Sequence, residues 1–182
     1  EGLSSGLRNM AHWRDPYLYD ADERVYQLIS ARRLDGDVSI RGTVGLTTST
    51  DMHKWEVLPP LEHDSIADEM ECPQIYQING RWYLVFCTLG KFFSKDYASR
   101  FKSKIPERSN FAMVSDNPLG PYKIYGTGQI IVHPPESYFY AAQLVSLSGQ
   151  WYLLATIHDE GQDRISDPVC VYADEMGIHQ KL

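Results

Sequence analysis

Apolar and polar positions in this chain alternate over short runs instead of recurring at helical spacing, and each run stops at a turn signal. The runs come in pairs. Asp15-Pro16-Tyr17-Leu18-Tyr19 is followed, after a polar break, by Val25-Tyr26-Gln27-Leu28-Ile29. Cys72-Pro73-Gln74-Ile75-Tyr76 leads through Asn79-Gly80 into Trp82-Tyr83-Leu84-Val85-Phe86. Ala141-Ala142-Gln143-Leu144-Val145 leads through Ser148-Gly149 into Trp151-Tyr152-Leu153-Leu154-Ala155. Asn-Gly between apolar runs is a strong hairpin signal, because both residues tolerate the positive φ of a tight turn, and Ser-Gly serves similarly. The three predicted hairpins align position by position, with a repeat of roughly sixty residues.

Each unit offers a second hairpin. Residues 43–48 and 55–58 supply it in the first unit and 111–115 and 122–125 in the second. In the third, 169–173 runs into a turn at 174–177. Two hairpins make a four-stranded blade, so the pattern predicts an all-β protein, a β-propeller of about three blades over 12–60, 70–130 and 138–182, within a single module spanning 1–182. A β-sandwich with similar hairpins is the alternative. Helix is poorly supported throughout.

Blade geometry sorts the loops. The short turns share one rim, while the links 31–42, 88–110 and 157–168 share the other with the residues that open each first strand. Long loops gathered at one end of a rigid scaffold are where function concentrates.

Composition narrows the chemistry. The 182 residues are 43% hydrophobic and 23% charged, which predicts a fully folded chain. A formal net charge of −7 argues against nucleic acid as a partner. No apolar stretch has the length of a membrane span and no signal pattern opens the chain, so a soluble protein without a membrane partner is expected. Cys72, Cys87 and Cys170 are too few and scattered for a disulfide framework or a zinc motif, and they read as reduced residues. Aromatic residues, at 12%, suit strands and sugar-stacking surfaces alike.

Acidic residues stand at two strand openings, in Trp13-Arg14-Asp15-Pro16 and in Glu69-Met70-Glu71-Cys72-Pro73. The repeat would aim Asp15 and Glu71 at a common axis. Two carboxylates facing one cavity are what glycosidic cleavage needs, one protonated beside the leaving oxygen and one ionised against developing positive charge. Burial beside another carboxylate would favour the protonated form of Glu71, and Arg14 can fix a substrate hydroxyl or a carboxylate. Taken bare, such residues also serve as caps or surface charges.

Arg14-Asp15-Pro16 resembles the RDP motif of the family 32 glycoside hydrolases, and Glu71-Cys72-Pro73 resembles their EC motif at a similar separation. Tyr138-Phe139-Tyr140-Ala141-Ala142-Gln143 is similar to the segment that usually reads FYAPQ. The resemblance covers nearly the whole chain. Related family 68 levansucrases and family 43 enzymes share the five-bladed architecture, but Cys72 after Glu71 favours family 32. The resemblance implies a fructose-containing saccharide as partner, Glu71 as general acid/base and Asp15 as stabiliser of an oxocarbenium-like transition state. It places Arg14, Tyr140, Gln143 and Cys72 around the sugar. It implies no cofactor.

The departures are as specific. The nucleophile motif, of the type WMNDPNG upstream of RDP, is absent, and the segment before Tyr138 reads His133-Pro134-Pro135-Glu136-Ser137 in place of Asp-x-Gly. A retaining mechanism without its nucleophile fails at the first step. The expectation is a fragment or a truncation, with Asp159 as the tempting substitute, or else a non-catalytic carbohydrate-binding or assembly module. Open end blades would need cover, and a second copy of the chain is the simplest.

Three further features are open to two readings each. Trp13 can stack on a sugar or plug the space between blades. Asp64, Asp68 and Glu69 can hold a cation such as Ca²⁺ or merely raise the pKa of Glu71; they lack the regular spacing of a Ca²⁺ loop, so no metal is expected. Lys91, Lys95, Arg100, Lys102, Lys104 and Arg108 read as a solvated basic loop, with contact to an anionic partner as the alternative.

Overall fold

The computed structural model describes residues 12–21, 23–132, 139–159 and 162–182. Three antiparallel sheets follow one another along the chain, as the β-propeller reading expects. The first contains β1 (Arg14–Ala21), β2 (Arg24–Arg32), β3 (Gly42–Ser49) and β4 (Glu56–Leu58) in that order. The second contains β5 (Glu71–Ile78), β6 (Arg81–Leu89) and β7 (Arg108–Ser115). Its fourth strand is reduced to a bridge between Val114 and Lys123, since Pro118, Pro121 and Gly120 crowd the segment leading to it. The third contains β8 (Phe139–Leu147), β9 (Gln150–Asp159), β10 (Gln162–Ile165), β11 (Val169–Asp174) and β12 (Gly177–Gln180).

Two local expectations change. The link predicted over 157–168 is mostly strand, because β9 runs on to Asp159 and β10 returns along it, pairing Ile165 with Thr156. The backbone groups of the extended β9 are thereby satisfied within a hairpin. The basic link 88–110 holds a 3-10 turn at Gly90–Phe92 and an α-helical turn, α1 (Lys95–Ala98), capped by the Ser94 hydroxyl, which accepts from the Tyr97 N–H at 3.2 Å. An aromatic cluster holds it in place. Phe93 stacks on Phe101 at 5.5 Å and meets Tyr97 and Phe111 edge-on, while Lys95, Arg100, Lys102 and Lys104 stay in solvent.

The core lies between blades. Leu28, Val44 and Leu46 of the first blade pack on Ile75, Leu84, Phe86, Phe111 and Met113 of the second. Val85, Ala112 and Val114 of the second pack on Leu144, Leu153, Ala155 and Val171 of the third. One aromatic pairing is used twice: Tyr19 meets Trp82 edge-on at 5.4 Å, and Tyr76, its counterpart one unit later, meets Trp151 at 6.1 Å. The Tyr76 hydroxyl also donates to Gln74 Oε1 and accepts the Leu144 N–H at 3.1 Å, and burial pushes its pKa up to about 12. Adjacent blades are therefore joined by polar bonds as well as by apolar contact. The tight turns are as predicted, with Asn79-Gly80 at φ 52° and 79° and Ser148-Gly149 at 51° and 78°.

Candidate functional site

Each first strand opens with the same irregularity. The β1–β2 register slips between Arg14 and Tyr17, the β5–β6 register between Glu71 and Gln74, and the β8–β9 register between Tyr140 and Gln143. At each slip a non-glycine residue takes a left-handed backbone: Asp15 at φ 58°, Cys72 at 49° and Ala141 at 51°. These are β-bulges, which re-aim the neighbouring side chains. They make Arg14, Glu71 and Tyr140 equivalent positions of three successive blades.

The three side chains meet. Glu71 sits between its counterparts, with Oε1 accepting from Arg14 Nη2 and Oε2 accepting from the Tyr140 hydroxyl. Burial alone would lower the Arg14 pKa, but the bonds to Glu71 and Glu69 outweigh it and raise it further above its ordinary value. Burial, the neighbouring Cys87 and the bond to Glu71 push the Tyr140 phenol far above its ordinary range, so it remains a donor. Asp15 is turned by its own left-handed backbone so that Oδ2 accepts the Cys72 N–H at 3.1 Å and lies 3.7 Å from Arg14 Nε. Cys72 thus contributes its backbone. Across the strand pair Cys87 faces Glu71; its thiol reaches the Glu71 carbonyl at 3.5 Å, and burial pushes its pKa up.

Beyond these four residues, opposite charges alternate. Arg14 Nη2 also donates to Glu69 Oε2 at 2.8 Å. Glu69 Oε1 accepts from Arg32 Nη2 at 2.8 Å, which also donates to Asp68 Oδ2 at 2.5 Å. Arg41 Nε stands 3.8 Å from Asp68 Oδ1, and Arg32 Nη1 lies 2.9 Å from His12 Nε2. Burial and the Arg32 charge lower the His12 pKa. Close packing fixes the segment that carries the two acids. Gly42 donates to the Ala67 carbonyl at 2.9 Å, and a Cβ at Gly42 would meet that oxygen at 2.8 Å; Ser30 Oγ donates to the Met70 carbonyl at 2.7 Å.

Of the other expected residues, Trp13 lines a cavity of about 680 Å³ with His12, Arg32 and Arg41, while Gln143 and Asp64 lie apart from the cluster. Trp13 is 48% exposed on the outer face of the first blade, its indole over Gly45. The matching positions of the next two blades, Met70 and Phe139, pack between blades. Gln143 is exposed, whereas its counterpart Gln74 is buried and donates to the Ala142 carbonyl at 3.1 Å. Asp64 belongs elsewhere, bonded to Lys123 at 3.0 Å and to the Ile124 N–H at 2.9 Å. Tyr138, 133–137 and the side chain of Asp159 fall outside the described residues. Among the described residues no group of three or more His, Cys, Asp or Glu is placed to hold a metal ion, and no helix is long and apolar enough to cross a membrane.

Sequence reading did not single out Arg32 and Arg41. Their positions carry the signal: they flank the first long link, on the same rim as the opening of the second blade.

The glycosyl hydrolases family 32 N-terminal domain matches residues 3–162. The chain belongs to this family. Solved structures share the fold of this family 32 chain at low identity. An inulosucrase from Halalkalicoccus jeotgali bound to kestose superposes with a TM-score of 0.73 at 19% identity, over 92% of this chain and 49% of that one. Bacillus subtilis levansucrase gives 0.71 at 16% identity, over 92% and 49%. A levansucrase complexed with sucrose gives 0.71 at 15%, over the same shares of 92% and 49%. The family 32 chain thus spans about half the length of the structures it matches. A search of curated proteins found no match.

Proposed function

We propose that this chain is the blade set of a fructoside-acting glycosidase that carries the general acid/base and the transition-state stabiliser. The observation that supports it is the convergence of Arg14, Glu71 and Tyr140 from equivalent bulges of three blades, with the Asp15 carboxylate anchored on the next residue after Glu71. In this reading the proton of Glu71 passes to the glycosidic oxygen as the bond to the fructosyl carbon breaks. Asp15 stabilises the positive charge developing on the ring, and Arg14 and Tyr140 hold the carboxylate that remains. Solved neighbours bound to kestose and to sucrose support a fructose-containing saccharide as the ligand class. No residue of this chain is assigned the nucleophile.

The test is fructose release from sucrose, levan and inulin, run beside Glu71→Gln and Asp15→Asn. Where fructose is released, by this chain or with a nucleophile supplied from outside it, each substitution is expected to lower turnover by about a hundredfold or more. Saccharide binding without release would support a binding module in place of an enzyme. Release that survives Glu71→Gln would overturn the assignment.

A further inference from the structure

The two acids that share Arg14 are not held alike. Glu71 has Arg14 on one oxygen and Tyr140 on the other, while Glu69 has Arg14 on one and Arg32 on the other. Both accept from the same nitrogen, Arg14 Nη2, which has an N–H for each, so a shift of the guanidinium toward one acid lengthens its bond to the other. A part-buried carboxylate that loses one cation draws the remaining one toward itself, because the attraction is strong where water is scarce. Here the cation that Glu69 would draw is the one Glu71 uses.

Resting on the reading of Glu71 above, we propose that Arg32 is a positioning residue: by neutralising Glu69 it keeps Arg14 from being drawn off Glu71. Arg32 stands at the end of β2 and touches neither Glu71 nor Tyr140 in the contacts it makes, which are to His12, Asp68 and Glu69. Its effect therefore runs through Glu69 and Arg14. The fork of Arg32 on Asp68, with Nε on the carbonyl at 3.1 Å and Nη2 on the carboxylate, gives it a second, anchoring role that the test must separate.

Crystal structures of R32Q, R32K and the double variant R32Q/E69Q make that separation. In R32Q, Arg14 is expected to move further onto Glu69 and to lose its bond to Glu71. In R32Q/E69Q it is expected to return, since Glu69 no longer carries a charge. R32K keeps a cation for Glu69 while giving up the planar fork on Asp68, and should leave Arg14 on Glu71; it also serves if R32Q does not fold. With sucrose as substrate, R32Q should cost roughly tenfold or more in kcat/KM against a Glu69 background and less than about twofold against E69Q. Arg14 remaining on Glu71 in R32Q, or leaving it equally in R32K, overturns the proposal whether or not the chain turns over. An inactive wild type in which Arg14 still moves as described would sink the enzymatic reading alone.

Discussion

At the scale of single residues, burial decides how groups outside the candidate site respond to acid. His63 is 7% exposed, with Nδ1 2.9 Å from the Asp64 carbonyl and Nε2 3.3 Å from the Thr43 hydroxyl. The neutral ring satisfies both contacts, Nδ1–H donating to the carbonyl and Nε2 accepting from Thr43. Burial holds its pKa below 6.5. The unfolded chain then takes up this proton more readily than the folded one. The stability it contributes is complete above about pH 6.5 and is lost as pH falls toward the folded value. His63→Gln should therefore shrink the fall in Tm between pH 7 and pH 5, measured by calorimetry; an unchanged fall would show that the ring is not the titrating group. The alternating network of Arg14, Glu69, Arg32 and Asp68 was hidden from the sequence for a related reason. Glu69 and Asp68 read there as part of an acidic group weighed for a cation, and only the approach of β1 and β2 to the segment before β5 supplies their arginines.

At the scale of elements, the hairpins were legible and the bulges were not. Asn79-Gly80 and Ser148-Gly149 announce their turns because positive φ selects such residues. Asp15, Cys72 and Ala141 adopt the same backbone region with nothing in common as side chains, and two of them pay a steric cost that sequence statistics would not place there. Alignment of the three units put these residues in register, but it did not show that the register slips beside them. The conformation itself can be tested at Ala141, where no functional side chain is lost. Ala141→Gly should stabilise the chain by about 1 kcal/mol and raise Tm by about 2–4 °C. A lower Tm would mean that the left-handed conformation carries no strain to relieve.

At the scale of the molecule, the two interblade cores show what the outer blades lack. Val145 occupies the place that Tyr19 and Tyr76 hold in the other blades, and it is 43% exposed. On the opposite side Leu18, the counterpart of the buried Ile75 and Leu144, is exposed as well. The two faces are complementary in kind, since each resembles one side of an interface already formed within the chain. Head-to-tail association of two copies follows as the expectation. Sedimentation velocity should show concentration-dependent self-association that Val145→Glu and Leu18→Glu each weaken, and a monomer at every concentration would exclude this use of the faces. The family was readable from three short motifs at blade openings, whereas which partner closes the edges was not, because exposed apolar positions name no occupant.

The repeated bulge also separates two tasks that enzymes often entangle. A kink in the main chain points a guanidinium, a carboxylate and a phenol to one spot from positions 14, 71 and 140, and the ladder bonds beside each kink do not depend on which side chain is presented. A side chain substituted at any of those positions would inherit the same backbone aim. A redesign that randomises these three alone would vary the chemistry at the axis while drawing on an unaltered scaffold, and gene duplication of a blade would deliver a ready-aimed vacancy for the next functional group.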